Sequence, residues 1–190
     1  MLSYLRPALT LTVFSTLTLG ILYPLSMTGA AQILFPAEAN GSLIRTKTGE
    51  VAASALIGQT FSGAGYFQPR PSAAGSGYDA SASGGSNLAP TDKRLISRVA
   101  TDAAAYRLAN GTGPVPADAV TTSASGLDPH ISPENAARQI ARVAAARRLT
   151  ESEVQRLVAA HTQPPALGFI GSPAVNIVTL NLALDGIVTP

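Results

Sequence analysis

The stretch from Pro7 to Ala37 limits this chain more than any other, because its 31 residues include no Asp, Glu, Lys or Arg. At about 1.5 Å per residue, its centre from Ala8 to Leu25 is long enough to cross a hydrocarbon core of roughly 30 Å. The run reads as a single membrane-spanning helix over residues 8–33, with a kinked exit where Pro24 removes a backbone donor. A cleavable signal peptide is the competing reading, since Arg6 supplies a positive end and Gly29-Ala-Ala31 resembles a small-residue cleavage site. The uncharged run outlasts the usual apolar signal core of about 7–15 residues, which favours the retained span.

The span is patterned. Ala8, Thr12, Thr16 and Gly20 recur every fourth residue and stack on one face, with Ser15 beside them. In lipid, where helices associate through packing rather than the hydrophobic effect, small residues at this spacing let a second helix approach closely. Their hydroxyls can bond back to the helix's own carbonyls, so the same face also suits a plain anchor. The pattern predicts a docking surface at Ala8, Thr12, Ser15, Thr16 and Gly20.

Residues 1–7 are left as a short tail, and residues 38–190 form one domain of ordinary size. Without Arg6, 12 of the 13 basic residues face 11 acidic ones, a net of +1 for the domain. With so little excess charge and few aromatic residues, nucleic acid is not an expected partner. The chain has no cysteine, so it has neither a disulfide framework nor a cysteine-based metal site. A short lead followed by a large exported domain is the behaviour of a signal anchor; the tail is placed in the cytoplasm and the domain outside.

Within the domain, residues 42–46 and 51–57 read as strand or short helix around a Thr48-Gly49 turn. Phe61, Tyr66 and Phe67 sit in a Gly- and Pro-rich segment that cannot be a long helix, so they are expected to plug an irregular stretch into the core. Arg70, between two prolines, is expected to lock that loop. Residues 73–89 form a Gly/Ser-rich loop without the spacing of a phosphate-binding motif. Pro90-Thr91 opens a helix that buries Leu95, Val99, Ala103 and Tyr106, turns Arg94, Arg98, Asp102 and Arg107 elsewhere, and ends at Asn110-Gly111. Ser132-Pro133 starts a further helix with Ile140, Val143 and Ala144 inward, and Thr150 to Glu153 is a capping box for the next. Arg138, Arg142, Arg147 and Arg148 are expected to serve the fold, with a headgroup or phosphate contact as the alternative. Residues 175–184 bring Val178, Leu180, Leu182 and Leu184 to one side, the pattern of a strand. The expected fold is an α+β domain on one N-terminal transmembrane helix.

The chemistry of a site is sparse in this sequence. No G-x-S-x-G occurs, and Asp128 and His130 near Ser123 and Ser125 are only a loose hydrolase constellation. His130 and His161 have no metal-binding spacing.

Eight blocks in order carry more. They are Leu5-Arg-Pro-Ala8, Ile21-Leu-Tyr-Pro-Leu25, Ala39-Asn-Gly-Ser-Leu-Ile44, Ser54-Ala-Leu-Ile-Gly-Gln59, Gly65-Tyr-Phe67 with Arg70-Pro-Ser72, Ser83-Gly-Gly-Ser-Asn-Leu88, Ser123-Ala-Ser-Gly-Leu-Asp128, and Val175-Asn-Ile177 with Leu180-Asn-Leu-Ala-Leu-Asp185. Together they resemble the C subunit of the bacterial Kdp potassium-transporting ATPase, essentially end to end. The resemblance implies a non-catalytic subunit of an inner-membrane complex, with its domain in the periplasm. Its implied partners are a channel-like A subunit that conducts potassium, an ATP-hydrolysing B subunit and a small F subunit. It also implies a role in assembly and as a catalytic chaperone that raises the ATP affinity of the B subunit. ATP and potassium are then handled by the complex, with no cofactor held tightly by this chain. Ser123-Ala-Ser-Gly126 is similar to a nucleotide-transporter signature loop, which leaves direct nucleotide contact as an alternative. A membrane-anchored periplasmic hydrolase and a sensor or binding module are the readings from other classes.

Overall fold

The computed structural model describes residues 2–187; Met1 of the expected tail and residues 188–190 of the expected domain lie outside the described residues. The chain divides after Leu43 into two compact units.

The first unit is helical. Helix α1 (Leu2–Ser15) runs into a π-helical segment (Thr16–Leu22) and then into α2 (Tyr23–Leu34) and the short α3 (Pro36–Ala39). Ser3–Leu34 is one continuous helix of 32 residues, long enough and apolar enough to cross a membrane, with none of its apolar window buried. The wide register has a local cause. Pro24 has no N–H, and its ring crowds the carbonyl four residues back, that of Gly20. Just ahead of it the Tyr23 N–H reaches five residues back, to the Thr18 carbonyl.

At the division between the units lies a two-stranded ladder, β1 (Leu43–Arg45) and β2 (Val51–Ser54). Its turn is closed by the Thr46 N–H donating to the Glu50 carbonyl at 2.8 Å. A long irregular stretch leads to α4 (Lys93–Asn110), capped by the Asp92 carboxylate rather than by Thr91. The cap lies one residue beyond Thr91 because the Asp92 carboxylate accepts from the Arg94 N–H at 2.8 Å. Strand β3 (His130–Ile131) precedes α5 (Pro133–Arg147) and α6 (Glu151–Ala160). Strands β4 (Thr162–Gln163) and β5 (Ala174–Asn176) then complete an antiparallel sheet of order β3-β5-β4, in which Ile131 and Thr162 both lie opposite Val175. The domain is α+β, as the sequence predicts.

Both expected helix starts form. The Ser132 hydroxyl accepts from the Asn135 N–H at 3.0 Å, and Thr150 and Glu153 make the reciprocal capping box. The strand expected over 175–184 does not continue beyond Asn176. There the Asn176 side chain accepts from the Val178 and Thr179 N–H groups and nucleates α7 (Ile177–Leu184). This helix is buried on nearly every side, at Ile177, Val178, Leu180, Asn181 and Leu182, so the alternating leucines carry no face information. On α4, Arg98 and Asp102 share the half-buried face with Leu95, Val99, Ala103 and Tyr106 instead of turning away. They can do so because they pair with each other at 3.0 Å and Arg98 also donates to the Val120 carbonyl.

The core gathers α5, α6, α7 and β5 around Phe67, which is fully buried with Val143, Val154 and Leu180. Phe61 packs against both this cluster and a smaller one formed by Ala53, Val178 and Leu182. Phe67 and Phe61 thus plug the core as expected, whereas Tyr66 lies outside both clusters, its ring against Phe61 and its hydroxyl on Asp185.

Candidate functional site

The helical unit presents the predicted small-residue face without covering it. Ala8, Thr12, Thr16 and Gly20 are exposed and Ser15 is half-exposed. The face persists across the change of helical register, since a Cβ built on Gly20 would lie 3.9 Å from the Thr16 Cγ2. That contact is ordinary, so nothing inside the chain requires glycine there. Back-bonding occurs where the Thr10 hydroxyl donates to the Arg6 carbonyl at 2.9 Å.

In the second unit, the chemistry-bearing residues are tied to one another. Arg70 donates to Asp128 Oδ2 at 3.1 Å and to the carbonyls of Thr121 and Thr122 at 3.3 Å each. It locks the loop, as expected from its place between prolines. Asp128 Oδ1 accepts from the His130 N–H at 3.0 Å and lies 3.1 Å from His130 Nδ1. Burial pushes the Asp128 carboxyl up, but the hydrogen bonds from the His130 ring and backbone and the charges of His130 and Arg70 outweigh it, leaving it below the usual carboxylate value. The far ring nitrogen, His130 Nε2, is buried and meets no hydroxyl among the described residues. Ser125 is occupied elsewhere, its hydroxyl accepting from the Leu127 N–H at 3.1 Å. The structure thus brings Asp128 and His130 together but seats no serine on the imidazole.

The two Gly/Ser-rich blocks pack on each other. The Ser125 carbonyl accepts from the Gly84 N–H at 2.8 Å and the Ser83 hydroxyl at 3.0 Å. Gly126, at φ 67°, sits so close that a Cβ would come within 2.7 Å of the Ala74 nitrogen and the Gly84 oxygen. The glycine of the Ser123–Gly126 loop is used for backbone contact.

Three side chains of the arginine cluster serve the fold, while that of Arg148 is exposed. Arg142 donates to the carbonyls of Ala64 and Tyr66, to Asn110 Oδ1 and to Gln139 Oε1, at 2.7–3.0 Å. Burial pulls its guanidinium below the ordinary value. Arg147 donates to the Gly65 and Leu184 carbonyls and to Asp185, and lies 4.6 Å above the Tyr66 ring. Arg138 donates to the Gly111 carbonyl, and Arg148 takes the left-handed conformation that ends α5.

Buried amides were not singled out by the sequence. Asn181 is fully buried; its Oδ1 accepts from the Phe67 N–H and its Nδ2 donates to the Phe67 carbonyl, each at 2.9 Å. Gln139 does the same for Gln68, accepting at 2.7 Å and donating at 3.2 Å. Asp118 accepts from Ser132 and Asn135 and pins the start of α5. The available signal was an amide inside an apolar run, as at Asn181, or beside an apolar stripe, as at Gln139.

A cleft of about 570 Å³ opens beside these groups, with Tyr78, Asp102, Tyr106 and Gln139 among its walls. Burial, with Asp128 adding to it and Arg70 opposing it, pushes the Tyr78 phenol up to about 12. Burial likewise takes the Tyr106 phenol to about 12, so both keep their protons at neutral pH. Among the described residues, no three His, Asp or Glu side chains come together to hold a metal ion.

The family model for the c chain of the K+-transporting ATPase, KdpC, matches residues 5–186. The potassium-transporting ATPase KdpC subunit of Caulobacter vibrioides is 58% identical over 185 residues, covering 97% of this chain and 94% of its own. The KdpC subunit of Gemmatimonas aurantiaca is 56% identical over 189 residues, covering 98% and 94%. That of Allorhizobium ampelinum is 54% identical over 186 residues, covering 97% of each chain. With a match from the apolar helix to α7 and a fold whose blocks hold one another in place, this chain belongs to the KdpC family, the c chain of the K+-transporting ATPase.

Proposed function

We propose that this chain is a non-catalytic accessory subunit of a high-affinity, ATP-driven potassium uptake complex in the inner membrane. Its tail lies in the cytoplasm, residues 8–33 cross the bilayer, and the domain stands in the periplasm. The helix docks through Ala8, Thr12, Ser15, Thr16 and Gly20 onto the channel-like A subunit and supports assembly. The domain steadies the outer mouth of the potassium path. Potassium and ATP are handled by the A and B subunits, with the small F subunit completing the complex and no cofactor held tightly here.

The observation that carries this reading is the uncovered helix. It is free of intrachain burial, and its small-residue face includes a glycine that the chain's own packing does not need. Close helix approach in lipid gives that glycine a use. Raising the ATP affinity of the B subunit, the catalytic-chaperone role, is then allosteric: one crossing separates the domain from cytoplasmic ATP, so coupling passes through the helix or the partner subunits.

Replacing Thr12, Thr16 and Gly20 together by Leu tests the reading, because side chains inserted into a close-packed interface cost roughly 1–3 kcal/mol each. The expected result is loss of the chain from detergent-solubilised complex, by more than tenfold in co-purified yield. Unchanged co-purification overturns the docking face. Ester hydrolysis by the purified chain, abolished by His130→Ala, would overturn the non-catalytic assignment.

A further inference from the structure

The connection between β4 and β5 is a built projection. Ala166 and Ile170 exchange two backbone hydrogen bonds, each of 2.9 Å, and close a three-residue loop, Leu167 to Phe169. The Gly168 N–H donates to the Pro165 carbonyl at 3.0 Å and the Phe169 N–H to the Ala166 carbonyl at 3.3 Å, so two of the three backbone donors of the tip are satisfied within the turn. Leu167 and Gly168 both lie at positive φ, 54° and 83°. For a leucine that conformation is unfavourable, and its largely exposed side chain gains little packing among the described residues to offset it. Leu167 is 83% exposed, Phe169 78% and Ile170 53%. Three large apolar side chains are thus held outward on a hydrogen-bonded turn, forming a patch on the order of a few hundred Å², comparable to the largest apolar patch of a typical monomer, which is often functional.

The composition of the finger selects its occupant. From Leu157 to Leu184 there is no Asp, Glu, Lys or Arg, and no Trp or Tyr. Segments that dock on bilayer surfaces use Lys and Arg against anionic headgroups and Trp or Tyr at headgroup level, and this one has none of them. A neutral, apolar pocket in a protein asks for none. A pre-organised turn also loses little freedom on docking, and a Phe with Leu beside it is the kind of anchor that fills such a pocket. The family is one of subunits, so a partner is at hand.

We infer that the Leu167–Ile170 finger inserts into an uncharged apolar pocket on another subunit of the potassium-transporting ATPase complex. The inference rests on the chain working inside that assembly, and not on how its helix docks. Because the chain has no cysteine, Phe169→Cys creates a sole thiol. Its labelling by a membrane-impermeant maleimide is to be compared between the purified complex and the full chain produced without its partners, in the same detergent. Lys93→Cys, at an exposed position of α4, serves as the reference, and Leu167→Cys as a second probe. The expected result is labelling at least tenfold slower in the complex at 169 and 167 and unchanged at 93. A photo-crosslinking amino acid in place of Phe169 should form an adduct with another subunit of the purified complex, identified by mass. Equal labelling rates overturn the inference, and so do adducts with lipid alone. A protected Phe169→Cys alongside unchanged co-purification of the triple Leu variant would remove the helix-docking reading and leave this one standing.

Discussion

Replacing Asn181 by Leu should unlatch the aromatic plug while keeping α7 in place. The change is close to isosteric, so little packing volume is lost. What is lost is the pair of 2.9 Å hydrogen bonds to the Phe67 backbone, leaving a buried N–H and a buried carbonyl without partners. At roughly 1–3 kcal/mol for each such group, and allowing for local relaxation, the domain should be destabilised by about 3 kcal/mol. For a domain of this size each kcal/mol moves the melting point by roughly 2–4 °C, so the expected fall is about 9 °C. The assay is thermal unfolding of the full chain in detergent, followed by near-ultraviolet circular dichroism from Tyr66, Tyr78 and Tyr106. Asn181→Asp supplies the internal control. At neutral pH its carboxylate faces the Phe67 carbonyl and the variant is at least as unstable; on protonation it regains a donor, and its deficit against the parent narrows as pH falls. A shift of less than 2 °C for Asn181→Leu, or a deficit in Asn181→Asp that does not narrow on acidification, would refute the latch.

Gly126→Ala should cost about 1–3 kcal/mol, because a methyl group there meets backbone at 2.7 Å at a positive φ, whereas Gly29→Ala, with nothing within 4 Å, should leave the melting point unchanged. Asp128 is held below its ordinary value in the folded chain, so its contribution is fully present above about pH 4 and is lost as pH falls through the folded value. Asp128→Asn should therefore flatten the acid limb of a stability-against-pH curve as well as lower its plateau. Burial holds the His161 imidazole below its usual value, which gives stability above about pH 6.5 that fades as pH falls through the lowered value. His161→Gln should remove that slope in the same measurement, and the His161 ring protons should titrate below free histidine by NMR.

Helices α5 and α6 could be read directly because their starting signals are local: Ser132-Pro133 and the Thr150–Glu153 box act within one turn. The aromatic plug was legible too, since Phe61, Tyr66 and Phe67 sit where glycine and proline forbid a long helix. Helix α7 was not, because burial on most sides erases the polar stripe that distinguishes 3.6-residue from two-residue periodicity. Arg98 and Asp102 are expected to turn away from the apolar face; their pairing with each other lets them share it. The contacts that join the segment around Arg70, Tyr66 and Phe67 to the rest span 58 residues to Asp128, 76 to Arg142 and 114 to Asn181. No local pattern announces such partners. The eight ordered blocks point to them only indirectly, since Tyr66 meets Asp185, Phe67 meets Asn181 and Arg70 meets Asp128. The helix face was legible as a stripe of spacing, while its change of register was not.

That change of register acts as a phase shifter. A turn that closes five residues back takes in one residue more than an α-turn, so the part of the span after Leu22 is rotated relative to the part before Thr16. A line of side chains that looks straight in the sequence is therefore skewed between the two leaflets, and a partner helix following the small residues from Ala8 cannot keep the same face beyond Gly20. Shortening the segment by one residue would leave composition and hydropathy almost untouched yet turn one end of the span by about 100° against the other. In this chain, angular register within the bilayer is a property that length and apolarity do not report.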